Sequence, residues 1–121
     1  MTSIVSNATP LIYLAKVGKL RLLREAFEQV LIPEEVREEV VIKGKKRGEK
    51  DAFLVERAIE EGWLKVLKAD AVKIPIMLEM GETAVISLAI NKGLSEVLID
   101  ETPARTAAKL LGLKPRGTVF V

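Results

Sequence analysis

The sequence contains no cysteine and no histidine. That double absence removes disulfides, thiolate and imidazole zinc sites, Cys–His and Ser–His nucleophile pairs, and acid–base catalysis by imidazole. An enzyme made of these residues must work with carboxylates, Lys, Arg, Tyr, Ser or Thr, with or without a hard metal ion. No apolar run approaches the roughly 20 residues that cross a bilayer. The opening MTSIVS has neither a basic region nor a cleavage signal, so a cytoplasmic protein is expected. Neither GxGxxG nor GxxxxGK[ST] occurs, which argues against dinucleotide and P-loop chemistry. Side-chain amides are confined to Asn7, Asn91 and Gln29, while Lys, Glu and Arg abound; this balance points to a thermophilic source.

What is present fits one globular domain spanning residues 1–121, with 49% hydrophobic and 30% charged residues. The net charge of +2 permits nucleic-acid binding without requiring it. Short apolar runs alternate with amphipathic ones throughout. Residues 4–6 read as a buried strand, after which Thr9 is expected to cap a helix with Pro10 in its first turn and Gly18 as its stop. KLRLLREAF (19–27) is a helix with Leu20, Leu23, Ala26 and Phe27 on one face, and QVLI (29–32) a second strand. PEEVREEVVI (33–42) has the proline and acids of a helix start, and KGKKRGEK (43–50) reads as a basic, glycine-broken loop. A helix over 51–62 and a strand over 63–67 follow, then an irregular stretch broken by Pro75. GETAVISLAINKG (81–93) is an apolar helix, EVLID (96–100) a fourth strand, TPARTAAKLLG (102–112) a helix, and GTVFV (117–121) a fifth strand. Apolar, non-alternating strands separated by helices predict an α/β three-layer sandwich, its mostly parallel five-stranded sheet covered on both faces.

In such sheets ligands bind beyond the carboxyl ends of the strands. The polar residues there are Ser6 and Asn7 after the first strand, Glu38 and Glu39 in the helix after the second, Glu82 opening the apolar helix, and Asp100 and Glu101 after the fourth. Several carboxylates near one point repel each other unless a cation neutralises them. Mg²⁺ and Mn²⁺ prefer hard oxygen ligands of this kind and assist phosphodiester cleavage. Each acid also has a plainer reading: Glu82 complementing its helix dipole, Glu39 a solvated charge, Asp100 a helix cap. Lys45, Lys46 and Arg47 could grip phosphates, as could Arg105 and Lys109, or could be ordinary solvated charges. Tyr13 and Trp63 read as core or interface residues. The NAT sequon at 7–9 is a coincidence, since Pro10 follows it.

Four segments, IVSNATPLIYLAKVGKLRLL, VLIPEEVREEV, MGETAVISLA and VLIDETPARTAAKLLGL, fall in the order and spacing of PIN-domain proteins. The chain resembles the archaeal and bacterial group related to VapC-type toxins. The resemblance covers essentially the whole chain and implies a Mg²⁺- or Mn²⁺-dependent ribonuclease with RNA as substrate, acting as the toxin of a toxin–antitoxin pair with an antitoxin protein as partner and a homodimer as assembly. Carried over position by position, it makes Asp100, Glu82, Glu39 and Asn7 the catalytic and metal-binding set, with Glu101 as a further metal ligand and Arg105, Lys45, Lys46 and Arg47 toward substrate. Asn7 departs from the family pattern, standing where an aspartate is expected, so one ligand charge is missing. That departure keeps open a non-cleaving domain that binds RNA or protein. Relatives commonly extend beyond the final strand, whereas this sequence stops at GTVFV. A phosphoacceptor receiver domain, the remaining alternative, would need acids after the first strand, and SNAT supplies none.

Overall fold

A computed structural model describes residues 2–118. In chain order the elements are β1 (Ser3–Ser6), α1 (Ala8–Lys16), α2 (Arg21–Ala26), β2 (Gln29–Pro33), α3 (Glu34–Arg37), a π-helical stretch Glu38–Ile42, α4 (Lys43–Lys46), α5 (Lys50–Glu60), β3 (Leu64–Leu67), α6 (Met80–Asn91), β4 (Glu96–Leu98), α7 (Thr102–Leu110) and β5 (Lys114–Arg116). The five strands form one sheet in the order β3-β2-β1-β4-β5. All neighbours are parallel, as the sequence pattern predicted.

Consecutive residues of a strand point to opposite faces. Ile4, Val5 and Ser6 of β1, Val30, Leu31 and Ile32 of β2, and all of β4 are buried, so the sheet is covered on both sides. Helix α6 packs on β1, β2 and β4, while α5 packs on β3 and α1, and α7 on β5. The apolar side chains of Leu11, Leu23, Val36, Val55, Ile86, Leu88 and Ala107 close the core from the helical layers. The strand order reverses at β1: the chain moves outward through β2 and β3, then returns to place β4 on the other side. That reversal leaves a crevice beyond the carboxyl ends of β1 and β4, the usual ligand position in open α/β sheets.

Several local expectations are corrected. Helix α1 starts at Ala8, with Asn7 at the N-cap position, so Thr9 lies inside the helix and is free for another role. Ala26 is exposed, leaving Leu20, Leu23 and Phe27 to face the core. The fifth strand is Lys114–Arg116 and not GTVFV; Pro115 is tolerated because this strand is at the sheet's edge. Residues 119–121 of the expected strand lie outside the described residues. The irregular stretch is as expected and is tied to α6: Asn91 Oδ1 accepts from Asp70 N–H (2.7 Å) and Ser87 Oγ accepts from Val72 N–H (3.1 Å). No helix among the described residues is long and apolar enough to cross a membrane.

The basic segment also differs from its expected form. Its first half, Lys43–Lys46, continues the helical run as α4, and Gly44 does not break it. Gly44 is needed for packing: a Cβ there would stand 2.8 Å from the Cβ of Ala52 on α5. Gly44→Ala should therefore destabilise the protein by about 1–2 kcal/mol, overpacking of about 1–3 kcal/mol outweighing the helix-propensity gain of under about 1 kcal/mol. Urea denaturation measures this, and a neutral or stabilising result would mean that α4 and α5 separate without penalty.

Candidate active site

The chain after β1 and the chain after β4 meet directly. Asn7 donates its backbone N–H to the Leu98 carbonyl (3.0 Å). Its side chain, only 5% exposed, turns into the crevice, and its Nδ2 approaches Glu101 Oε2 at 3.5 Å. Thr9, released from capping, donates its hydroxyl to Glu101 Oε1 at 2.7 Å. One carboxylate thus receives donors from both sides of the first strand-to-helix junction.

The opposite wall is built by α6 and the π-helical stretch. Glu82 lies in the first turn of α6 and accepts the backbone N–H of Glu79 (3.2 Å), a capping contact that fixes its carboxylate. It is 8% exposed. Burial pushes the Glu82 carboxyl above the ordinary carboxylate range; the Glu79 N–H opposes the shift, and the carboxylates of Glu101, Glu79 and Glu39 reinforce it. Single-turn π-helical insertions are frequent at functional sites. Here the wider winding keeps Val40 and Val41 both in the core while Glu38 and Glu39 remain exposed.

Gly81 stands between the walls. A Cβ on it would lie 3.6 Å from Glu39 Oε1 and 3.7 Å from Asn7 Oδ1, so the missing side chain is what keeps the space between these oxygens open. An acidic cleft of about 510 Å³ opens beside Gly81, lined by Glu34, Glu35, Glu38, Glu39, Glu79 and Met80, with Lys43 at its side.

The sequence-expected residues are therefore brought together only in part. Asn7, Glu39, Glu82 and Glu101 converge on one crevice. Asp100, next to Glu101, is engaged by the chain after β5: its carboxylate accepts Thr118 N–H at Oδ1 (2.7 Å) and the Thr118 hydroxyl at Oδ2. Among the described residues, no three acidic side chains are close enough to hold a metal ion as they stand. Of the residues expected to meet substrate, Arg105 donates Nη1 to the Ile99 carbonyl (2.8 Å). Lys45 pairs with Glu56 and lies 5.2 Å from the centre of the Phe53 ring. Lys46 and Arg47 are exposed.

Thr9, Glu79 and Gly81 were missed by sequence reasoning. Thr9 looked like a cap. Glu79 and Glu82 have the N-cap-to-N3 spacing of a capping box, a legible signal although Glu replaces the usual Ser or Thr. A glycine in the first turn of an otherwise strongly apolar helix was also a signal, since glycine is a poor helix former.

A parallel α/β domain with a carboxylate-lined crevice at its strand-order reversal is thus defined. The chain belongs to the PIN-domain family, whose model matches residues 3–121. The fold is shared with three solved structures at low identity. A domain of a functionally unknown protein from Methanocaldococcus jannaschii DSM 2661 is 14% identical, with TM-score 0.62, covering 97% of this chain and 91% of that one. A PilT N-terminus domain protein from Sulfolobus solfataricus P2 is 15% identical, with TM-score 0.63 and coverages of 99% and 89%. VapBC2 from Rickettsia felis, bound to a DNA fragment from their promoter, is 12% identical, with TM-score 0.64 and coverages of 96% and 98%. None of the curated proteins matches the chain.

Proposed function

We propose that this chain is a Mg²⁺- or Mn²⁺-dependent ribonuclease of the PIN type, acting as the toxin of a toxin–antitoxin pair, with an antitoxin protein as partner and a homodimer as assembly. The observation that carries the reading is the convergence of Asn7, Glu39, Glu82 and Glu101 on the space beside Gly81. Their donors are all oxygens, three of them from carboxylates, which is the set that hard divalent cations prefer. Gly81 leaves an opening that a Cβ would fill, and a cation there would have to draw the carboxylates together, since no three acidic side chains among the described residues stand close enough to hold one. When bound, the cation would neutralise the scissile phosphate and increase the acidity of a water.

The chain's own groups have separable tasks in this reading. Thr9 and Asn7 hold Glu101 in place. The Glu79 N–H holds Glu82. Lys46 at the end of α4 and Arg47 just after it, both exposed, offer charge to RNA phosphates, an attraction that salt weakens. The test is cleavage of single-stranded RNA by the purified protein in Mg²⁺ or Mn²⁺, with loss of activity in EDTA. Cleavage that continues undiminished in EDTA ends the proposal.

A second reading is favoured by Asn7 itself: with a neutral amide at the β1 end, the crevice would bind RNA or protein without cutting. Asn7→Asp discriminates between the two. A native protein that cuts as fast as the variant rules out the non-cleaving reading.

A further inference from the structure

We propose that the small pocket between α6 and the irregular segment leading into it takes one base of the RNA, and that Glu35 selects guanine there. The inference rests on the ribonuclease reading and adds to it the base that the site accepts. The pocket measures about 200 Å³. Sites for drug-sized ligands run from roughly 300 to 1,000 Å³, so this one suits a single ring system and not a whole nucleotide. One wall is a stripe of α6: Met80, Thr83, Ala84 and Ser87 recur at helical spacing and share a face. Ala69 and Ala71 form the facing wall, and their small side chains leave the gap open. Their segment is tied to α6 on either side of Ala71. Val72 N–H donates to Ser87 Oγ (3.1 Å), Asp70 N–H donates to Asn91 Oδ1 (2.7 Å), and Asn91 Nδ2 donates to the Asp70 carbonyl (3.2 Å). The pocket is therefore preformed. Glu35 and Met80 line both this pocket and the acidic cleft beside Gly81, so the two adjoin.

The polar groups of the pocket set the choice of base. Among the described residues, neither the half-buried Glu35 carboxylate nor the Thr83 hydroxyl has a side-chain hydrogen bond or ion pair. An ionised carboxylate only accepts, and it does so through two adjacent oxygens. Guanine is the one RNA base whose Watson–Crick edge sets two donors side by side, the ring N1–H and the 2-amino group. In adenine, cytosine and uracil an acceptor stands next to the donor and would face a carboxylate oxygen. Proteins read unstacked bases on this edge. The Thr83 hydroxyl adds a donor for the O6 carbonyl, and the Met80 thioether suits contact with an aromatic ring. Glu34, Glu38 and Glu79 in the adjoining cleft would repel a phosphate, but a neutral base meets no such penalty. An arginine guanidinium carries a similar donor pair, yet the alanine walls favour the broader apolar face of a purine.

The experiment titrates the native chain in EDTA with guanosine, inosine, adenosine, cytidine, uridine and free arginine, following the amide NMR signals of Ala71, Thr83 and Ala84. Guanosine should move these signals and bind about tenfold or more tighter than the other nucleosides, the scale of one bidentate pair. Inosine, which lacks only the 2-amino group, should lose that advantage. Glu35→Gln should abolish the preference, and Ala71→Leu, at an exposed position that narrows the pocket, should abolish binding of every nucleoside. The inosine comparison needs no variant and so decides the matter even where a substitution unfolds the chain. Equal binding of guanosine and inosine, or of all the nucleosides, overturns the proposal. Arginine moving these amides where guanosine does not overturns it in favour of a protein guanidinium. Sequencing the ends of single-stranded RNA cut in Mg²⁺ gives a separate readout. A chain that cuts RNA but binds no guanosine keeps the ribonuclease reading and loses the pocket; one that binds guanosine as described but cuts no RNA loses the ribonuclease reading and keeps the guanine site.

Discussion

Asn7→Asp is expected to destabilise the metal-free protein by about 3–5 kcal/mol, the usual cost of an uncompensated buried charge, and to tighten divalent-cation binding. The side chain at position 7 is almost fully enclosed and faces Glu101 at 3.5 Å. The amide makes that contact favourable because its NH₂ donates toward a carboxylate. Aspartate has no such donor when ionised, and it brings a further negative charge into a crevice that already holds Glu101, Glu82 and Glu39. The backbone bond to Leu98 is untouched by the change, so the strand-to-helix junction itself is retained. A ligand that binds only the folded state stabilises it by mass action. The variant should therefore gain much more Tm from added Mg²⁺ than the native chain does. Thermal unfolding in EDTA and in Mg²⁺ checks both halves; equal stability of the two proteins in EDTA would mean that the crevice is not electrostatically crowded.

Glu82→Gln is expected to reduce Mg²⁺-dependent RNA cleavage by at least about a hundredfold, more than the loss of a residue that only supports a metal ligand. The same substitution should flatten the pH dependence of metal-free stability. Burial raises the Glu82 carboxyl in the folded protein, with Glu101, Glu79 and Glu39 adding to it against the Glu79 N–H. A raised acid holds its proton longer in the folded state than in the unfolded chain. Its stabilising contribution is then fully present below the ordinary carboxylate range and is lost as pH rises through the elevated folded value. Glutamine keeps the acceptor for Glu79 N–H and removes the titration. Denaturant unfolding in EDTA at several pH values measures the difference. A native chain whose Glu82-dependent stability grows with pH would contradict the sign.

The architecture was legible because burial on both faces writes unbroken apolar runs into β1, β2 and β4. The acids at the strand ends were legible for the same reason: a carboxylate directly after a buried run has few neutral explanations. What the sequence hides is direction. Asp100 and Glu101 look like one acidic pair, yet one is held by Thr118 and the other by Thr9 and Asn7, partners 18, 92 and 94 residues away in the chain. Similarly, Gly44 reads as a helix breaker until Ala52 is seen against it. The fifth strand was misplaced because GTVFV has the β-branched residues of a strand, whereas KPR is selected by pairing with β4.

The strand order has a kinetic consequence. β1 is made first, but its partner β4 comes from near the other end of the chain, Val5 lying beside Val97. Pairings of such long sequence separation fold slowly, because loop closure must precede any reward from contact. Asn7 and Glu101 cannot face each other until this late docking has taken place. A growing or truncated chain that ends before Glu96 therefore carries Asn7, Glu39 and Glu82 but has no crevice, and whatever chemistry the crevice performs is withheld until β4 has been made.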